Sequence, residues 1–447
     1  MNVWLWWRRH WPQLVIIGGV FASALYVCLH WSDADFGWHY QSGRYILAHG
    51  VPMHDIFTYT AASYPWVNHE WLNDVVLASV GSLGGYLLIA WLYAGLWALG
   101  FGLASRWRSS VLVMSLSLAA LTPYLGIRSL VWSAVGFAVA LRLVKHSRRW
   151  PLFPLLFALW ANLHGGFALG LVVLAIYVAW LRSWRLAMWL AGSVLATFAN
   201  PYGWRLYGEI WQTMTDSQLH GKIIEWWPLA IDPTNAPFIV AAVALVLAVR
   251  FDMPRRLLGG ILLLATLQAN RQLPFLVLAL QEPMEQALER FKPLLQARWP
   301  RLVAAGAGSL TLATISLVAV ALFWPLSSSS AQALTQPYRS AAVLRSDPCR
   351  GQLFNHYSFG GYLIWQLPGQ RVYIDGRMPS WSNSEGNYLA RWERVMSDPG
   401  YADEQFARYG VQCAVITKTD HVLNDHLSQQ GWRRVMTEKD AVLWRRD

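Results

Sequence analysis

The feature that most constrains this chain is a succession of apolar runs, separated by short breaks, that fills residues 11–325. A helix crossing hydrocarbon needs about 20 apolar residues, because every backbone polar group must be satisfied inside the segment. Runs near that length lie at 12–30, 84–104, 166–182 and 302–325, with shorter ones at 110–125, 129–144, 151–164, 186–199 and 236–250. The stretch 257–289 is interrupted by Asn270, Arg271 and Gln272, which predicts two short helices around a polar turn. The expected fold is a polytopic α-helical membrane protein of about 11 spans. Only 14% of the residues are charged, against about 25% in a soluble chain. The soluble pattern returns near residue 326, giving a membrane domain over 1–325, a linker over 326–337 and a small soluble α/β domain over 338–447.

A net charge of +11 could suggest nucleic acid, but its distribution argues against that partner. The basic residues collect in the short gaps between apolar runs, as cytoplasmic loops do. With the N-terminus inside, the inner loops hold sixteen Lys and Arg, against five in the outer loops before the tail: Arg44, Arg128, Arg205, Lys222 and Arg271. An odd span count then puts the tail outside the cytoplasm. The segment Trp4 to His10 and the apolar run after it resemble a signal peptide. No small-residue cleavage site follows, so the run is expected to stay as the first span. Of the three cysteines, Cys28 lies in that span and Cys349 and Cys413 in the tail. One bridge between the tail cysteines is open to them outside the cytoplasm, and two separate buried thiols is the reading preferred from sequence.

Residues able to do chemistry gather on the outer side, above all in the first loop, 31–72. It opens on Asp33, Asp35 and His39 and closes on His69 and Glu70 before the next apolar stretch. In an extended or turn conformation Asp33 and Asp35 point the same way, as a base with its helper or a shared metal requires. A carboxylate here has a second use, capping the helix that follows. An amphipathic helix is expected over Gly43–Leu47, and a helix-turn-helix lying in the membrane interface between two spans would bring the loop's two ends together; a plain interfacial anchor rich in Trp is the alternative.

These residues carry a resemblance. The pattern Asp33-X-Asp35-X-X-Trp38-His39, Gly43-Arg44, Gly50-X-Pro52, Asp55-X-Phe57-Thr58 and Trp66-Val67-X-His69-Glu70-Trp71-Leu72 looks like the N-terminal region of a bacterial family in or bordering the C-type glycosyltransferase superfamily. Protein O-mannosyltransferases and the lipid A aminoarabinose transferase share the layout: an acidic motif after the first span, an interfacial helix, and a short motif before the second. Where those relatives have a Pro-Pro-Leu type motif, this chain has His69-Glu70-Trp71-Leu72. The resemblance implies a glycosyltransferase of the bacterial inner membrane. It would take a sugar from a polyprenyl-phosphate donor and pass it to a lipid, glycan or protein acceptor. Asp33 or Asp35 would be the base, His39, His69 and Glu70 its support. A divalent metal, Mg or Mn, could be held by Asp33, Asp35 and Glu70.

Further polar residues fall at outer helix ends: Arg128, Asn162, His164, Asn200, Arg205 and Arg271. Guanidinium groups bind phosphate through two parallel hydrogen bonds, so these arginines suit a lipid phosphate. They would serve equally on lipid headgroups or on the protein's own carboxylates. His164 before two glycines also suits a plain helix end.

In the tail, helices are expected over 338–345, 359–367, 386–396 and 400–409, with strands over 351–355, 371–375, 413–417 and 441–445. Asp375 could touch an acceptor, or pin its loop through Arg377. Two other functions compete: a surface-polysaccharide ligase or polymerase, which needs a wide outer cleft, and a transporter or flippase with a sensory tail. The transporter should show internal repeats with polar breaks at mid-depth. No repeat is evident, and the polar residues collect at one end. Phosphate-loop, nucleophile-elbow and zinc-protease motifs are absent from the sequence.

Overall fold

The computed structural model describes residues 3–30, 33–105, 110–248, 252–298 and 336–446. The apolar runs expected as spans are helical wherever they are described: Val3–His30, Trp71–Ala104, Val111–Leu121, Leu130–Leu143, Phe153–Leu163, Phe167–Leu181, Trp184–Thr197, Ala236–Ala248, Met253–Gln268 and Leu273–Arg298. The run 302–325 lies outside the described residues. A short 3-10 turn, Asn270–Gln272, stands at the expected polar break. Among the described residues, Trp71–Ala104 is the one helix long and apolar enough by itself to cross a membrane. It is broken by non-helical backbone at Gly84 and Gly85, the latter at φ 64°, a conformation glycine adopts without steric cost.

Contacts divide the chain into two compact units, which do not follow its linear order. The first takes residues 1–31, 86–203 and 220–329; the second takes 32–85, 204–219 and 330–447. The first outer loop and the tail thus belong to one unit.

The first unit is helical. Its helices carry large apolar side chains outward as well as inward: Leu155, Leu195, Val240, Leu247 and Leu264 are all exposed. Such a surface is what a bilayer covers and water does not favour. Inside, the indole of Trp160 fills the room left by two glycines. A Cβ at Gly136 or Gly170 would come within 2.6 or 2.5 Å of it. Small residues of this kind let helices approach closely where no hydrophobic force separates them from lipid.

The second unit is built on a four-stranded mixed sheet. Gln352–Asn355 runs parallel to Val411–Thr417, which pairs antiparallel with Ala441–Arg445, and that strand with Arg433–Thr437. Both the last of these strands and the helix His421–Gln429 were missing from the sequence reading. The expected strand 371–375 makes only single parallel bridges, from Val372 to Leu353 and to Thr58. The side-chain amide of Asn355 takes the place of a ladder there. Its Oδ1 accepts the Tyr373 N–H at 2.8 Å and its Nδ2 donates to the Ile374 carbonyl at 2.8 Å.

Cys349 and Cys413 are bridged, which corrects the preference for two separate thiols. Their Cα atoms are 6.0 Å apart, within the range a disulfide spans. The cause is the register Leu353↔Cys413, which sequence spacing does not reveal.

The first loop packs into this sheet. The Phe57 carbonyl accepts the Val372 N–H at 3.0 Å, Tyr59 N–H donates to the Val372 carbonyl at 3.2 Å, and the Thr60 hydroxyl donates to the Tyr373 carbonyl at 2.6 Å. The helix expected over Gly43–Leu47 is present and longer than anticipated, Phe36–His49. It crosses the tail helix Gly360–Gln366 at two glycines, and a Cβ on Gly37 would land 1.9 Å from the Gly361 carbonyl oxygen.

Candidate active site

The second unit gathers Asp33, Asp35, His39, His69, Glu70 and Arg205, six of the residues singled out from sequence. Asp33 folds back, its Oδ1 accepting the Asp35 N–H at 2.9 Å. Asp35 stands at the N-cap of Phe36–His49 but makes no side-chain cap. Its Oδ1 accepts the Trp38 indole N–H at 2.9 Å instead. The two carboxylates are therefore held in different ways.

Behind them lies a buried charge network. His39 sits between two carboxylates, Nδ1 at 2.5 Å from Asp74 Oδ1 and Nε2 at 3.2 Å from Glu70 Oε2. Its ring stacks on Trp38 with centroids 3.5 Å apart. Burial works against a charged imidazole here. The charge and hydrogen bond of Asp74, then the charges of Glu70 and Asp35, outweigh it and carry the pKa up to about 9. Asn68 completes the arrangement, donating to Asp74 Oδ2 at 2.7 Å and to the Ser42 hydroxyl at 2.9 Å while accepting the Glu70 N–H. His69 approaches Glu70 at 3.6 Å and is one-third exposed. The helix Arg205–Thr215 adds Glu209, whose pKa burial raises against the opposing charges of His69 and Arg205.

A third cluster ties the loop to the tail. The Arg377 guanidinium is buried between Asp55 at 2.7 Å and Asp375, which takes two bonds at 2.8 and 2.6 Å. The rings of Trp66, Phe57 and Trp381 surround it, with centroids 4.4, 5.0 and 5.2 Å away. Its pKa is raised because the Asp375 and Asp55 charges and hydrogen bonds overcome burial, which acts the other way. Asp375 thus pins its loop through Arg377.

Arg128, Asn162, His164, Asn200 and Arg271 belong to the first unit. Arg128 pairs with Glu225 at 2.9 Å. Arg271 lies over the Trp226 ring, 4.3 Å from its centroid. Asn162 donates to the Ala158 and Ala199 carbonyls, and Asn200 donates to the Thr197 carbonyl and accepts the Tyr202 N–H. His164 Nδ1 accepts the Ser133 hydroxyl at 2.6 Å and the Gly166 N–H at 3.0 Å, joining two helix ends.

Sequence reasoning missed Asp74, Asn68 and Glu209, and quoted Asp55 in a motif without giving it a role. Asp74 had a signal: an acid in the first turn of a long apolar helix is expensive unless it has a partner. For a metal, Asp33, Asp35 and Glu70 do not converge, and no group of three or more His, Cys, Asp or Glu side chains that could hold an ion occurs among the described residues. The arrangement does not fit the proposed metal site.

No protein-family model matches the chain, and no curated protein matches it in sequence. Its fold does have solved counterparts. The oligosaccharyltransferase AglB of Archaeoglobus fulgidus, solved with an inhibitory peptide and a dolichol-phosphate, matches with a TM-score of 0.60 at 12% identity, over 92% of this chain and 70% of that one. An Archaeoglobus fulgidus oligosaccharyltransferase tethered to an acceptor peptide matches at 0.58 and 14% identity over the same shares. ArnT of Cupriavidus metallidurans bound to undecaprenyl phosphate matches at 0.55 and 12% identity, over 97% of both chains.

Proposed function

We propose that the chain is an integral-membrane glycosyltransferase that moves a sugar from a polyprenyl-phosphate donor to an acceptor on the non-cytoplasmic face of the bacterial inner membrane. The observation that carries this reading is the shared fold, running over nearly the whole of ArnT, combined with an acidic motif at the start of the first loop. The positive-inside bias and a disulfide in the tail both favour an outward-facing second unit. The outward apolar side chains of the first unit favour a bilayer around it.

In this mechanism Asp35 is the base. The Trp38 indole holds its Oδ1 and so fixes the direction of the second oxygen. Asp33 supports it through the Asp35 N–H. The carboxylate takes the proton of an acceptor hydroxyl or amine as that atom bonds to the anomeric carbon. The bond from this carbon to the phosphate oxygen breaks, and the electron pair leaves with the lipid phosphate. An arginine neutralises the departing charge, and Arg205 is the candidate within the second unit. His39 touches no reacting atom in this scheme and positions Glu70 and the loop. No step passes through a metal.

The test is release of undecaprenyl phosphate from a panel of undecaprenyl-phosphate-linked sugars, with a cell-envelope extract as acceptor. Asp35→Asn should lower turnover by about 10²–10⁴-fold, the usual contribution of a general base. Asp33→Asn should lower it less, and both should insert and accumulate normally. Full activity in both variants would remove the catalytic role given to this loop.

A further inference from the structure

The sequence divides loop from tail, yet the tail reaches the proposed base directly. Gly376 lies so close to Asp35 that a Cβ built on it would stand 1.9 Å from Asp35 Oδ1 and 2.9 Å from its Cγ. Only a residue without a side chain allows the carboxylate to rest there. Gly376 in turn is fixed on both sides. Asp375 before it and Arg377 after it are joined by the bidentate pair, and Arg377 is joined to the loop by Asp55. Asp55 is itself immobilised, because its Oδ2 accepts both the N–H and the hydroxyl of Thr58. The Arg377 guanidinium packs on Trp66, whose ring meets Trp38 edge-on at 6.3 Å, and Trp38 donates to the same Asp35 oxygen. Tail and loop thus converge on one carboxylate by two routes.

We propose that the tail segment Asp375-Gly376-Arg377 is a positioning element for Asp35, so that the acidic loop is competent only when the tail is docked on it. This rests on Asp35 being the base. Gly376 and Arg377 touch no reacting atom in this scheme; they act by setting where the Asp35 carboxylate lies and keeping it on the Trp38 indole. A displacement of about 1 Å at a reacting group costs on the order of 10²-fold in rate. A methyl on Gly376 forces at least such a displacement.

The experiment compares wild type, Gly376→Ala, Trp38→Phe and Asp35→Asn of the full chain, using undecaprenyl phosphate release as a function of pH. Folding is checked by the oxidised state of Cys349 and Cys413 and by the thermal midpoint. Gly376→Ala should lower kcat by about 10²-fold with the donor KM little changed. Its acid limb should move to higher pH, because a carboxylate pushed off the indole loses a hydrogen bond to its charged form. The charged groups on the elements packed around Asp35, among them Asp33, His39, Asp375 and Arg377, are unaltered in this variant. A loss of folding alone would scale the rate and leave the limb in place. Trp38→Phe should reproduce the limb shift, which keeps the proposal testable if the alanine variant does not fold. Wild-type kcat in folded Gly376→Ala, or an unmoved acid limb in both variants, overturns the positioning role. If Asp35→Asn also keeps its turnover, the fault lies with the assignment of the base; if it loses turnover while Gly376→Ala does not, only the positioning fails.

Discussion

His39 shows how a single residue decides the character of the loop. An imidazole buried between Asp74 and Glu70 is favoured as the cation, because these neighbours outweigh the burial that opposes its charge. Its pKa rises from 6.5 to about 9 in the folded protein. A raised pKa means that the folded state holds the proton more tightly than the unfolded one. The stabilisation is fully present below pH 6.5 and is lost as pH climbs through about 9. The thermal midpoint should therefore fall between these values by an amount equivalent to a few kcal/mol, as a rise from 6.5 to about 9 implies. His39→Gln should be less stable at pH 6 and should show a flatter profile over that interval. A wild-type midpoint that stays level or rises across it would contradict this account of the network.

At the scale of elements, the loop segment Phe57–Thr60 behaves as a partial strand of the tail and the helix Phe36–His49 as one of its covering helices. The bridge between Cys349 and Cys413 fastens the chain just ahead of the first strand onto its parallel neighbour, closing 64 residues of sequence. Parallel strands have no short turn to hold them together, so a covalent tie has more to contribute here than in a hairpin. Replacing both cysteines with serine should lower stability by about 2–4 kcal/mol. The midpoint under reducing and oxidising conditions measures this, and equal midpoints would show the tie to be idle. The elements themselves were largely legible in sequence, because apolar runs and strand patterns are local. The pairing of Cys349 with Cys413, and the loss of a ladder at 371–375 to the Asn355 side chain, were not. Both depend on which distant segments become neighbours.

Over the whole molecule, sequence order and spatial grouping differ. The linear reading separates membrane and soluble domains near residue 326, whereas contacts gather the first loop, the helix Arg205–Thr215 and the tail into one unit. The acidic motif Asp33-X-Asp35 was legible because its two carboxylates fall within three residues of sequence. Its supports were legible only in part: the pairing of Asp375 with Arg377 is local and was expected, whereas Asp74, the reach of Arg377 to Asp55 and the approach of Gly376 to Asp35 arise only through burial and long-range contact. The central claim of the proposed function is that the sugar donor is linked to a lipid phosphate. The most direct measurement uses the full chain in sealed proteoliposomes, supplied in parallel with undecaprenyl-phosphate-linked and nucleotide-linked forms of the same labelled sugars. Label should pass to the envelope acceptor from the lipid-linked form alone, with undecaprenyl phosphate released in equal amount. Transfer from the nucleotide-linked form, or none from any lipid-linked sugar in the panel, would contradict it.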